Sequence, residues 1–227
     1  MEIGELSRRP FFNGLEYGHM SECCLCSNLV AGRQRHRWDE PLFFSANFLA
    51  LPSLGSIVEG WILVVPKKHF LSIGAMPADL ANEMMDFRAR VAEYLTPKYG
   101  ALCAFEHGPS SLKRQVGCGV DHAHLHLVPI GFDLISAARP YLPRDIQWSD
   151  ADLYKCRSAF AQGRDYLYVE QLFGHARIAV HDEFGSQIFR KAIASQLGVP
   201  DRYSWRDYPQ HENITRTIES LRAVAAS

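Results

Sequence analysis

Asp121-His122-Ala123-His124-Leu125-His126-Leu127-Val128-Pro129 decides how this chain folds. From Val120 to Ile130 the residues alternate, with His122, His124 and His126 on one parity and Ala123, Leu125 and Leu127 on the other. That period of two is the signature of a β-strand, and it predicts three imidazoles on one face, about 7 Å apart in succession, over an apolar face that packs into a core. Three ionisable rings in register are costly to place unless each has a task, whereas a single histidine would read as a satisfied core residue and a polar edge strand as chance. One metal ion cannot hold all three, because first to last spans about 13 Å on a strand and Zn–N bonds are about 2.0 to 2.1 Å. Two neighbours on one ion, or one ligand with the others left for chemistry, both fit.

Working outward, Gly60 to Val65 reads as a buried strand ended by Pro66, with Lys67-Lys68-His69 as the loop after it. Leu80, Met84, Phe87, Val91 and Leu95 recur at spacings of three and four and predict a helix over 77–94, closed by Pro97 and Gly100. Residues 101–105 predict a strand running into Glu106-His107-Gly108-Pro109, and residues 42–51 a strand or hairpin. The first 20 or so residues read as an arm, and a soft boundary falls near residue 135. Beyond it, strands are expected over 166–171 and 176–180 and helices over 188–197 and 213–224, too thin a core to stand alone. The expected architecture is therefore α+β: an antiparallel sheet with a long helix on one face over residues 21–135, and an α/β extension, 136–227, packed on it.

Lys and Arg number 24 against 25 Asp and Glu, so no basic field exists to draw the chain onto long nucleic acids. No apolar run approaches the roughly 20 residues of a membrane span, and the first ten residues lack the apolar core of a secretory signal, which points to the cytoplasm. Of the six cysteines, Cys23, Cys24 and Cys26 cluster, and without a secretory signal they read as metal ligands or thiols instead of disulfides. A two-residue gap between Cys23 and Cys26 suits one tetrahedral ion, with Cys24 as an alternative ligand and a redox pair as the metal-free reading.

His122-Ala123-His124-Leu125-His126-Leu127-Val128 resembles the His-x-His-x-His-x-x motif of the histidine triad (HIT) superfamily, in which x is apolar. The strand ending in Pro66-Lys67-Lys68-His69 resembles that family's Pro-Lys-x-His, and Cys23-x-x-Cys26 resembles the cysteine pair of its zinc-containing bacterial members; together the resemblance covers roughly residues 20 to 130. It implies that His124 is a nucleophile toward a nucleotide phosphate, passing through a nucleotidyl-histidine intermediate, with His126 donating a hydrogen bond to phosphate. It implies a structural zinc held by Cys23, Cys26, His69 and His122. Gly117 and Gly119 around Cys118 look like the family's phosphate-cradling loop, but Gly117-Cys118-Gly119-Val120 stands where relatives often carry a serine, so Gln115 or backbone N–H groups are left to make that contact. Glu106 and His107 are expected beside the triad, touching ribose or phosphate. Trp61, where many relatives carry histidine, and Trp205 read as packing residues.

The expected function is hydrolysis or transfer on a nucleoside phosphate such as a diadenosine polyphosphate or phosphoramidate. The sugar-nucleotide transferase branch usually carries Gln where His126 stands, and this favours hydrolysis. A nucleotide-binding or sensing module without turnover is the alternative, distinguished by insensitivity to loss of His124; a metal-dependent oxygenase or hydrolase would instead lose activity at once on chelation. Family resemblance also implies a homodimer, with residues 77–105 as its interface.

Overall fold

A computed structural model describes residues 23–29, 36–112, 114, 116, 117, 119–171 and 175–225. The N-terminal arm, Gln115 and Cys118 lie outside them. The fold is α+β, and its strands join in one eight-stranded sheet in which every pairing is antiparallel. In chain order the elements are α1 (Cys24–Leu29), β1 (Phe43–Phe44), β2 (Phe48–Pro52), β3 (Ile62–Pro66), α2 (Ala78–Tyr99), β4 (Leu102–Gly108), β5 (Leu125–Pro129), α3 (Leu134–Ala138), β6 (Trp148–Asp150), α4 (Leu153–Ala161), β7 (Tyr166–Glu170), β8 (Ala176–Val180), α5 (Ile188–Gln196) and α6 (His211–Ala225). The sheet order is β1-β2-β3-β5-β4-β7-β8-β6.

Strand parity splits the core in two. On one face Phe48, Ala50, Ile62, Val64, Ala104, Leu125 and Leu127 pack against Met84, Phe87, Val91 and Leu95 of α2, the stripe that the spacing predicts. On the other face Trp61, Phe105, Val128, Leu167 and Val169 pack against Leu134 and Ala137 of α3 and Ile188, Phe189, Ala192 and Ile193 of α5. Residues 42–51 form a hairpin of β1 and β2, with Phe43 opposite Ala50.

Three boundaries differ from the sequence expectation. The helix runs on through Pro97 to Tyr99, because Pro97 sits in the last turn, where the carbonyl it leaves unpaired belongs to exposed Glu93, and only Gly100 at φ 80° ends it. β4 continues through Glu106 and His107 to Gly108, since β7 pairs with it along that length. β5 starts only at Leu125: the Ala123 amide bonds to the Phe70 carbonyl (2.6 Å), and the residues just before the strand are drawn to the segment after β3 instead of the ladder.

β7 also bears on the expected dimer. β4 has β5 on one edge and β7 on the other, so the strand within residues 77–105 has no edge left for a second copy.

Candidate active site and metal centre

The three histidines diverge at their rings, and each ring nitrogen's role follows from a partner that can only donate or only accept. Nε2 of His122 lies 2.9 Å from the Pro66 carbonyl oxygen, so it donates and its Nδ1 carries the lone pair. That Nδ1 stands 3.5 Å from Cys23 Sγ and 3.3 Å from Cys26 Sγ, and His69 Nδ1 is 3.3 Å from Cys26 Sγ. The four ligand atoms lie within 4.8 Å of one another. Tetrahedral zinc with bonds of about 2.3 Å to sulfur and 2.0 Å to nitrogen spaces its S and N ligands about 3.5 Å apart, and the observed gaps match. The group could hold a metal ion, and it lies largely buried, as a closed structural site requires. The hydrogen bond from Cys26 and the nearby His122 ring hold the Cys23 thiol well below its ordinary range, while the same hydrogen bond to Cys23, together with burial, pushes Cys26 up. One thiolate is thus already favoured before any cation arrives. Cys24 is exposed and is not part of this group.

His124 turns the other way. Its Nδ1 donates to the His122 carbonyl oxygen at 2.6 Å, and the carbonyl, an acceptor only, fixes the proton there and leaves the lone pair on Nε2. In its neutral form such a ring can act as a nucleophile through Nε2. The His124 and His126 rings lie closer than strand spacing alone would put them, with centroids 4.9 Å apart. His126 is fully inside the sheet, opposite Leu63 on β3 and Phe105 on β4, with the Phe105 ring stacked on it at 4.3 Å. Burial, and then the charges of His124, His107 and Arg190, push its pKa well below the usual histidine range, so it is neutral.

His124 and His126 meet at a cleft of about 180 Å³ whose walls include Leu51 and Leu63 of the sheet, Trp38, Trp205 and Arg190. Arg190 and Trp205 come from beyond residue 135, so the C-terminal segment closes the site that the triad opens.

Glu106 and His107 divide between the two faces. His107 shares the triad's face but is covered by Phe189, whose amide donates to its Nε2 at 3.5 Å, and burial pushes its pKa down to about 3. Glu106, one residue away, points to the opposite face, where it accepts from the Ile73 amide (2.7 Å) and the Tyr166 hydroxyl (2.5 Å). Strand parity therefore corrects its expected contact with ribose or phosphate: it braces the turn after His69, although the His124 charge still reaches its carboxyl. The Gly117 carbonyl accepts from the Gln187 amide at 3.2 Å, and the Gly119 carbonyl from Arg206 at 3.3 Å. A side chain at Gly119, where φ is 76°, would meet Arg206 at 2.8 Å. The glycine loop is thus clasped by the C-terminal segment. How Gln115 and Cys118 stand toward it lies outside the described residues.

Trp61 and Arg190 are the residues that sequence reasoning missed. Trp61 Nε1 donates to His126 Nδ1 at 2.9 Å, and the Arg190 guanidinium lies over the indole, 4.8 Å from its centroid. A tryptophan one residue ahead of a wholly apolar strand offered a signal, since a buried indole N–H needs a partner; Arg190 offered none.

Residues 39–132 match the family model described as HIT domain. No curated protein matches the chain. Among solved structures, a histidine triad protein from Clostridium difficile is 21% identical, covering 41% of this chain and 80% of its own, at a TM-score of 0.35. A hypothetical histidine triad nucleotide-binding protein from Sulfolobus tokodaii strain 7 is 19% identical over 62% of this chain and 93% of its own, with a TM-score of 0.39. A structure described as uridylyltransferase is 10% identical over 93% and 95%, at 0.42.

Proposed function

We propose that the protein is a nucleotide hydrolase or nucleotidyl transferase of the histidine triad kind, working through a nucleotidyl-histidine intermediate, a reading supported by the match of residues 39–132 to the HIT domain model. The observation that carries this reading is the bond from His124 Nδ1 to the His122 carbonyl, which assigns a proton to Nδ1, so that the neutral ring of this cleft-lining residue attacks through Nε2. His124 Nε2 bonds to the α-phosphorus while the bond from phosphorus to the leaving group breaks, and the leaving group departs with the electron pair. Water or a phosphate acceptor then displaces the imidazole and restores the enzyme. His126 donates from Nε2 to a phosphate oxygen, which gains charge as the bonds exchange. Leu51, Leu63, Trp38 and Trp205 supply flat apolar walls suited to a nucleobase.

Cys23, Cys26, His69 and His122 would hold zinc. Bound there, zinc supplies structure: it ties α1 and the loop after β3 to the residue whose carbonyl orients His124. The substrate is a small nucleotide, such as a diadenosine polyphosphate or a nucleoside phosphoramidate, and a balanced surface charge disfavours long nucleic acids. No described helix is long and apolar enough to cross a membrane, and the cytoplasm is the proposed compartment.

The test is incubation with a panel of adenylated compounds, quenching in alkaline denaturant so that the phosphorus–nitrogen bond survives, and intact-mass measurement. A gain of one nucleotide that disappears in His124→Ala is expected. A wild-type chain that neither gains mass nor releases product from any compound defeats the reading.

A further inference from the structure

The bond between Trp61 and His126 does more than fill space. An indole N–H can only donate, so at 2.9 Å it requires a lone pair on His126 Nδ1 and leaves the ring proton on Nε2. Among the described residues that Nε2 is buried without a hydrogen-bond partner, on a side chain 2% exposed. A buried donor left unmatched is costly, and this one belongs to a residue lining the cleft that His124 also lines. An acceptor entering that cleft would satisfy it.

The ring has little freedom to turn. Phe105 is stacked on one face at 4.3 Å, and the Trp61 edge meets it at 5.7 Å. Trp61 is held in turn: it is wholly buried, and the Arg190 guanidinium covers its ring. Arg190 donates from Nε to the Tyr203 carbonyl at 2.8 Å and from a terminal nitrogen to the Gly55 carbonyl, so the cation is fixed from two directions. A cation over the ring draws electron density from the indole, strengthens its N–H as a donor, and disfavours a second proton on His126.

We propose that Trp61, backed by Arg190, is a positioning pair that fixes His126 as a neutral imidazole protonated on Nε2, so that a hydrogen-bond donor always faces the substrate phosphate. Reading the acceptor as phosphate rests on the proposed function; the tautomer itself does not. The pair spans the chain, because Arg190 lies outside the residues of the family match, and it makes the C-terminal segment part of the catalytic arrangement.

Proton–nitrogen correlation NMR of the full chain reads the tautomer directly. His126 is expected to show protonated Nε2 and bare Nδ1 throughout about pH 5 to 8, and Trp61→Phe to show a mixture of tautomers. With a substrate in hand, Trp61→Phe should lower kcat about a hundredfold and leave KM within a fewfold. Trp61→His, which regains a ring N–H, should recover about tenfold of that loss. Arg190→Met should cost little more once Trp61 is Phe, since it acts through the indole. Protonation of wild-type His126 on Nδ1, equal losses in the Phe and His variants, or full additivity of Arg190→Met with Trp61→Phe would overturn the proposal. Should Trp61→Phe not fold, the wild-type spectrum decides alone. Should the protein cleave no nucleotide while His126 keeps the predicted tautomer, the proposed chemistry fails and the positioning pair stands.

Discussion

His124 donates to the backbone carbonyl of His122 at 2.6 Å, and the His122 ring at the same time faces the sulfurs of Cys23 and Cys26. One residue would therefore couple the proposed metal centre to the proposed nucleophile: its side chain would belong to the ion, and its carbonyl orients the His124 ring. Any slackening of the centre is transmitted through a single peptide unit.

Metal removal should consequently act through structure. About one zinc per chain is expected by elemental analysis. Cys26→Ser should lose the metal and lower the melting temperature by at least about 5 °C, with activity falling alongside. Under chelator, activity and near-ultraviolet circular dichroism should decay together and slowly. Instant loss of activity with an unchanged spectrum would mean that the ion takes part in the chemistry.

Asp165 should control the glycine loop. It is buried at the start of β7's approach and accepts from the Ser110 amide (2.8 Å), the Ser110 hydroxyl (2.7 Å) and Arg114 Nε (2.8 Å). Asp165→Ala strands two part-buried donors and a partly exposed cation, and should cost about 1 to 2 kcal/mol in urea unfolding. KM should rise more than kcat falls, because Gly117 and Gly119 lie nearer to the Asp165 anchor along the chain than His124 does. A variant with wild-type stability and KM would remove Asp165 from this role.

The contrast between these residues explains what the sequence shows and what it hides. His122, His124 and His126 are legible because period-two alternation is a local property, and the pairing of Cys23 with Cys26 is legible because ligand spacing is local too. Even the position of Glu106 was within reach: if Phe105 and His107 share a face, Glu106 cannot. Arg190 meets the cleft because α5 lies on the triad's face of the sheet, and Trp205 because the segment after α5 returns to it, tertiary contacts that no spacing announces. α3, β6 and α4 escaped notice because each is short, and β6 is largely exposed, so none imposes a long apolar period.

The edge pairing of β4 argues against a dimer that extends the sheet at that strand. With Phe105 between His126 of β5 and Val169 of β7, a second chain cannot extend the sheet at that strand. Light scattering at micromolar concentration should return the mass of one chain, 25.7 kDa. A stable dimer would have to use another surface, and one weakened by charges placed on the outer face of α2 would restore residues 77–105 as an interface.

Glu106 should leave a signature in the pH dependence of stability. Burial pushes its pKa up to about 7, against the bonds from Tyr166 and Ile73 that favour the anion. An acid whose folded pKa exceeds its unfolded value of 4.5 binds more protons in the native state, so its contribution is full below about pH 4.5 and is lost as pH rises toward 7. Glu106→Gln keeps an acceptor for the Ile73 amide and cannot ionise. The melting temperature of the wild type relative to Glu106→Gln should therefore decline across that window and level off above it, with the Ile73 turn, and hence His69, becoming easier to displace as the carboxylate forms. A difference that stays flat from pH 4.5 to 7 would show that the carboxyl titrates at its ordinary value, and one that rises would show that its folded pKa is depressed; either result overturns this reading.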